Sequence, residues 1–388
     1  MKFAERVENL PPYLFVGISR AIAAKKAQGI EVISFGIGDP DMPTPDPVLD
    51  ALVAGSKKAA NHKYPESEGL PEFRARVAKF YDDRFGVKLD PATEVINLIG
   101  AKEGIAHAPM CFIDPGDISI SPDPAYPVYE IGTMFAGGTT HFVTLKEENG
   151  YLVDFTDIPT DVAKKAKTLW INYPNNPTGA VAPLSFFDEA VQYCKEFDIA
   201  LLHDAAYTEV TYDGYVAPSV LQAEGAMDIA MEFHSLSKTA NMTGWRVGFA
   251  SGNPEMVNAL MRVKSNIDSG LSQANQEMGI AALDLPSDWL DNNNEVYRKR
   301  RDKVVSVLNE IGVPAVAPKG ALYIWTPIPE GYTSAEFAQK LLDEVNVVVT
   351  PGNGYGPGGE GYIRLSLTIP DDQIDEGLRR LAQLRVNS

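Results

Sequence analysis

The sequence is poor in cysteine and in histidine, with two of the first and five of the second among 388 residues. Two thiols, Cys111 and Cys194, build no disulfide framework, which suits a reducing compartment. Both fall in segments that read as apolar helix and are expected as buried free thiols, with no catalytic or metal role. Positive charge is also scarce: Lys and Arg total 34 against 52 Asp and Glu, a formal charge of −18. So acidic a chain is a poor partner for a phosphate backbone, so nucleic acid is not an expected ligand. Long apolar runs are missing too, and nothing approaches the ~18 uninterrupted apolar residues of a membrane span. Residues 1–24 carry Glu5, Arg6, Glu8 and Arg20 and do not read as a signal peptide. These absences lead to the expectation of a soluble cytoplasmic protein.

What is present is an ordinary globular mix, 45% hydrophobic and 22% charged, which excludes collagen, coiled coil and general disorder. The first forty residues are irregular and broken by prolines, with a short helical stretch at 18–28, and read as an arm. Helical patterns at 47–59 and 70–85 follow. Short apolar runs at 95–99, 118–121, 169–172, 199–203 and 229–234 each end in a Gly, Pro, Asn, Asp or Ser cluster, and another lies at 247–251. Helical segments separate many of them, which is the pattern of buried strands in a mostly parallel sheet. From about residue 288 the composition shifts to a charged helix at 292–310, strand candidates at 321–326, 345–350 and 362–367, and a terminal helix at 371–384. The expected fold is α/β: a three-layer large domain on a mostly parallel sheet, with a smaller α+β domain. The expected division is 1–46 as arm and part of the small domain, 47–287 as the large domain and 288–388 as the small one. The glycine-rich stretch 352–361 lacks a following helix with a lysine, so it reads as a flexible loop, not a phosphate cradle.

Open parallel sheets bind ligands at the carboxyl ends of their strands. Gly100-Ala101-Lys102 follows one run and opens a helix, where free backbone N–H groups can meet an anion. Asn175-Asn176-Pro177-Thr178-Gly179 follows another, a rigid turn able to aim an Asn amide. Asp204 ends a third. It is either a carboxylate awaiting a partner or the N-cap of a following helix, with Tyr207 one turn on and His203 a structural hydrogen-bonding residue. Ser235, Ser237 and Lys238 follow the fourth, just before Trp245-Arg246-Val247-Gly248. A lysine set among hydroxyls and core segments is a candidate for a lowered pKa and Schiff-base chemistry.

In this order the motifs resemble those of the fold-type I, pyridoxal-phosphate-dependent aminotransferases of class I/II, over nearly the whole chain. The resemblance implies pyridoxal 5'-phosphate as cofactor, with Lys238 as Schiff-base lysine and proton carrier. It makes Asp204 the partner of the ring nitrogen, Tyr207 and Asn176 the donors to the ring's phenolic oxygen, and Tyr126 the aromatic on the ring face. Arg246, Ser235, Ser237 and the backbone of Gly100, Ala101 and Lys102 would hold the phosphate. Tyr64 would reach it from a neighbouring subunit, which implies a homodimer with shared sites. Arg364 and the backbone of Gly38 would hold the substrate α-carboxylate.

Within that family the run 98–107, the segment 266–270 and Pro12-Tyr13 resemble the bacterial LL-diaminopimelate aminotransferases, although Ala101 stands where those carry Ser. The resemblance implies amino transfer between LL-2,6-diaminopimelate and 2-oxoglutarate, in lysine and cell-wall precursor biosynthesis. Lys102 could then meet the distal carboxylate and Glu103 the distal ammonium, with Tyr13 lining the pocket. The alternatives are a broader aspartate, alanine or aromatic aminotransferase and a C–S lyase on the same fold.

Overall fold

In the computed structural model, which describes residues 1–11 and 14–384, the strands run in chain order. They are β1 (Ile33–Ser34), β2 (Val95–Ile99), β3 (Ile118–Asp123), β4 (Thr139–Thr144), β5 (Ala166–Ile171), β6 (Ala200–Asp204), β7 (Ala230–Ser235), β8 (Val247–Gly252), β9 (Tyr323–Pro327), β10 (Val347–Val348), β11 (Thr350–Pro351) and β12 (Tyr362–Ser366). Seven form one sheet in the order β2-β8-β7-β6-β5-β3-β4. It is parallel from β7 to β4, while β8 runs antiparallel to both of its neighbours.

Both faces of this sheet are buried. Leu169, Ile171 and Leu201 feed one apolar cluster, and the intervening Trp170 and Leu202, with Phe233, feed another. Adjacent strand residues point to opposite faces, so the two clusters are the two outer interfaces of a three-layer stack. The helix Leu184–Phe197 shows how a covering layer is read: Phe186, Phe187, Ala190, Val191 and Cys194 recur at helical spacing and are buried. Asn253 caps the helix Pro254–Lys264 through Glu255 and Met256 N–H, with proline at its first position.

A third cluster joins the long helix Ser287–Glu310, the helix Ser334–Val345 and the three-stranded antiparallel sheet β11-β12-β9. The run at 345–350 is not one strand. Asn346, left-handed at φ 53, ends the preceding helix. β10 then pairs with β1, and β11 with β12. The polar, threonine-rich edge strand β4 carries no apolar run and escapes the sequence pattern. Segment 352–361 is not a bare loop. It folds into two short turns, Gly352–Tyr355 and Pro357–Gly359, and packs on Asp123. Cys194 is buried and Cys111 only partly so; burial pushes the Cys111 thiol up to about 12 and the Cys194 thiol higher still.

Candidate active site

A cavity of about 410 Å³ opens at the carboxyl ends of β3, β5, β6 and β7 and is closed on one side by β9 and β12. Of the residues expected at a site, Gly38, Ala101, Lys102, Tyr126, Asn176, Asp204, Tyr207, Ser235, Ser237, Lys238, Arg246 and Arg364 all line it. Gly100 sits just behind, with its φ at 71, and a side chain there would strike the Arg246 guanidinium at 2.4 Å. Tyr64 is not in the wall; it stands 87% exposed on the chain surface. Tyr13 lies outside the described residues.

Asp204 ends β6, where the buried strand leaves it 5% exposed. Its Oδ2 accepts from Tyr129 Oη at 2.8 Å, and Oδ1 from the Ala206 N–H at 3.3 Å. No helix follows, so the N-cap reading falls: residues 206–209 are turns. Burial raises the pKa of this carboxyl against the Tyr129 bond and the nearby His203 and His234. Both histidines bond one buried carboxylate, Glu232, at 2.8 Å each. Glu232 also accepts from Tyr81, Ser219 and the Val220 N–H. His203 thus has the structural role that the sequence suggests.

Lys238 belongs to the short helix Leu236–Thr239, capped by Ser235. Its Nζ donates to the Gly38 carbonyl at 2.6 Å. Burial lowers its pKa to about 8; Asp39 opposes the shift, and Arg364 and Arg246 add to it. Arg246 is held in the left-handed region at φ 57, a strained setting for a side chain of this size, and donates to the Thr243 carbonyl at 2.8 Å.

Arg364, on β12, is 1% exposed. It donates to Asn176 Oδ1 at 2.8 Å and to the Gly36 carbonyl at 2.9 Å, both neutral acceptors. With Oδ1 so engaged, the Asn176 amide is left with its NH₂ as donor. The guanidinium lies between the Tyr323 ring at 4.0 Å and the Tyr355 ring at 4.8 Å. Tyr323 also shares a 2.7 Å hydrogen bond with Tyr207 Oη.

Glu103 does not reach the cavity. Its Oε1 meets His107 Nδ1 at 2.8 Å and its Oε2 meets Lys264 Nζ at 3.1 Å. Burial would raise its pKa, but His107 and Lys264 outweigh that and hold it below the ordinary value. The same Lys264, fully buried, bonds Asp268 at 3.0 Å. Glu103, His107 and Asp268 cluster at metal-ligand spacing, but the Lys264 ammonium pairs with two of the three. Sequence reasoning missed Tyr129, Tyr323 and Asp39. Tyr129 and Tyr323 sit in apolar segments that gave no sign of what they would face, while Asp39 directly follows Gly38.

Taken together, the cavity offers a buried amine of lowered pKa, a buried carboxylate, an aromatic wall and two guanidiniums. The family model described as aminotransferase class I and II matches residues 30–381. An LL-diaminopimelate aminotransferase of Dehalococcoides mccartyi is 57% identical, with 99% of each chain covered. One from Moorella thermoacetica is 53% identical over 99% of this chain and 98% of its own. Among solved structures, substrate-bound BacF from Bacillus subtilis superposes with a TM-score of 0.95 at 34% identity, covering 99% of this chain and 98% of that one.

Proposed function

The chain belongs to the class I and II aminotransferases, and from that premise we propose that it is a pyridoxal 5'-phosphate-dependent LL-2,6-diaminopimelate:2-oxoglutarate aminotransferase. The observation that carries the cofactor reading is a single cavity holding the buried Lys238 amine, the buried Asp204 carboxylate and Arg364. Among the described residues no cation pairs with Asp204, which a protonated ring nitrogen would supply. The residues therefore fit the group. Lys238 would take the aldehyde, Asp204 the ring nitrogen, Tyr126 the ring face, and Asn176 and Tyr207 the phenolic oxygen. Arg246, Ser235, Ser237 and the Gly100–Lys102 backbone would take the phosphate. When bound, the ring supplies an electron sink that no side chain provides.

The chain's own groups do the rest. A lysine with a pKa near 8 is uncharged often enough near neutral pH to act as a nucleophile and to take a proton from the substrate's Cα. Arg364 presents a planar fork to the α-carboxylate, and Gly38 brings backbone close to the same place. The surface position of Tyr64 suits a role at the phosphate of the adjoining site in a homodimer. Two free thiols suit a reducing compartment, and the cytoplasm is the location inferred.

Donor identity rests on the names of the relatives and on Lys102, a residue of the cavity wall. With Glu103 withdrawn into the interior, Lys102 stands alone of that pair as a contact for a distal carboxylate. The proposed physiological direction forms LL-diaminopimelate from tetrahydrodipicolinate and glutamate. The test is a substrate panel on purified enzyme: LL-diaminopimelate, aspartate, alanine and phenylalanine, each with 2-oxoglutarate. LL-diaminopimelate should lead, and Lys102→Ala should lower kcat/KM for it by about ten- to a hundredfold while alanine changes little. Equal losses on all four would leave an aminotransferase of other specificity. Borohydride should fix a pyridoxyl group on Lys238, found by peptide mapping; its absence would remove the cofactor assignment.

A further inference from the structure

Segment 352–361 contributes nothing to the cavity wall, yet it touches both sides of it. It connects β11 to β12, in whose pairing Thr350 lies opposite Arg364. It then folds across the end of β3. Gly358 N–H donates to Asp123 Oδ2 at 2.9 Å, and the Ala125 N–H donates to the Tyr355 carbonyl at 2.8 Å. Ala125 leads into Tyr126 of the cavity wall, and the Tyr355 ring rests on Arg364.

The glycines are explained by close approach. A side-chain carbon at Gly356 would lie 2.1 Å from Asp123 Oδ1, and one at Gly358 would lie 2.8 Å from the Asp123 carbonyl. Gly352 and Gly359 are packed as tightly on one another: a side-chain carbon on either would strike the other's carbonyl oxygen. Asp123 itself is 4% exposed, and its Oδ1 is buried with no hydrogen-bond partner. A carboxylate so placed is destabilising by itself, so any benefit must come from what it holds.

We infer that Asp123 and segment 352–361 form a clasp that fixes the spacing between the Tyr126 turn and Arg364, which makes Asp123 a positioning residue for the substrate's α-carboxylate. The inference rests on the assignment of Arg364 to that carboxylate. The clasp seats the Tyr355 ring against the guanidinium before substrate arrives, so less ordering is left to binding.

The test uses the cofactor-loaded enzyme. Asp123→Ala removes the acceptor, while Gly356→Ala keeps Asp123 and pushes the segment off it. Gly331→Ala is the control: it also places a side chain at positive φ, 90, but nothing lies within 4 Å. Both clasp variants should raise KM for the amino donor and for 2-oxoglutarate on the order of tenfold, with kcat changed by less than about twofold. Amide exchange across 352–361 should accelerate and the cofactor absorbance should stay put. Faster exchange with unchanged KM, or an equal rise in KM from Gly331→Ala, overturns the clasp. Arg364→Lys separates the two assignments. If it raises KM while the clasp variants do not, the clasp alone fails; if it leaves KM unchanged, the carboxylate assignment fails and the clasp with it.

Discussion

Asp204 is a buried carboxylate whose hydrogen-bond donors are a tyrosine hydroxyl and one backbone N–H. Asp204→Asn keeps the shape and removes the charge. If that charge is there to hold a proton on a ring nitrogen, turnover should fall by orders of magnitude while the melting temperature moves by only a few degrees. A normal rate would return Asp204 to a purely structural role. Lys238 gives a second residue-level expectation. Its folded pKa, about 8, lies below the ordinary lysine value, so the unfolded chain binds more protons between the two. Stability must therefore rise as pH climbs from about 8 towards 10.5. Measured on cofactor-free protein by urea titration, the gain relative to Lys238→Met should approach ~3 kcal/mol. A pH-independent difference would show that the amine is not desolvated. Asp204 and Lys238 were legible in the sequence because each follows an apolar run within a few residues, and Arg246 because it directly precedes one. Tyr129 and Tyr323 were not, since their partners, Asp204 at a strand end and Tyr207 in a turn, lie far away in the chain.

The helix Ala101–His107 shows what an element imposes on its residues. Ala101 and Lys102 line the cavity, while Glu103, about 100° further round the helix, turns to His107 and Lys264. The sequence motif was visible, but not the rotation of the helix about its axis. That rotation is set by packing and by the Glu103–Lys264 pair. Lys264 joins this helix to Asp268 from complete burial, so Lys264→Met should strand two carboxylates and destabilise the protein by about 3–5 kcal/mol in chemical denaturation. A loss under ~1 kcal/mol would mean that water reaches the pair. The central strands were legible for the converse reason: burial on both faces leaves a continuous apolar run, as in β5 and β6. The edge strand β4 leaves no such trace, and the apolar run at 345–350 does not show its division into β10 and β11, because partners elsewhere in the chain define them.

At the scale of the whole molecule, the exposed Tyr64 and the buried Arg364 belong to different regions of one chain and, in the proposed dimer, to different sites. Tyr64→Phe and Arg364→Ala should each be weakly active alone. Mixed under conditions of subunit exchange, they should recover activity, because some sites then combine an intact Tyr64 with an intact Arg364. Absence of recovery after exchange has been verified by mass would mean that each chain serves itself. The chain path has a further consequence. Thr350 Oγ1 donates to the Gly36 carbonyl across a separation of 314 residues, and among the described residues β1 finds its only strand partner in β10. The β2 strand likewise waits for β8. During synthesis, the early strands therefore emerge from the ribosome long before the segments that complete them. Such long-range pairing slows folding and leaves unpaired edges exposed to other nascent chains. A stop codon at residue 345 would leave β1 and Gly36, near the opposite end of the sequence, without these partners.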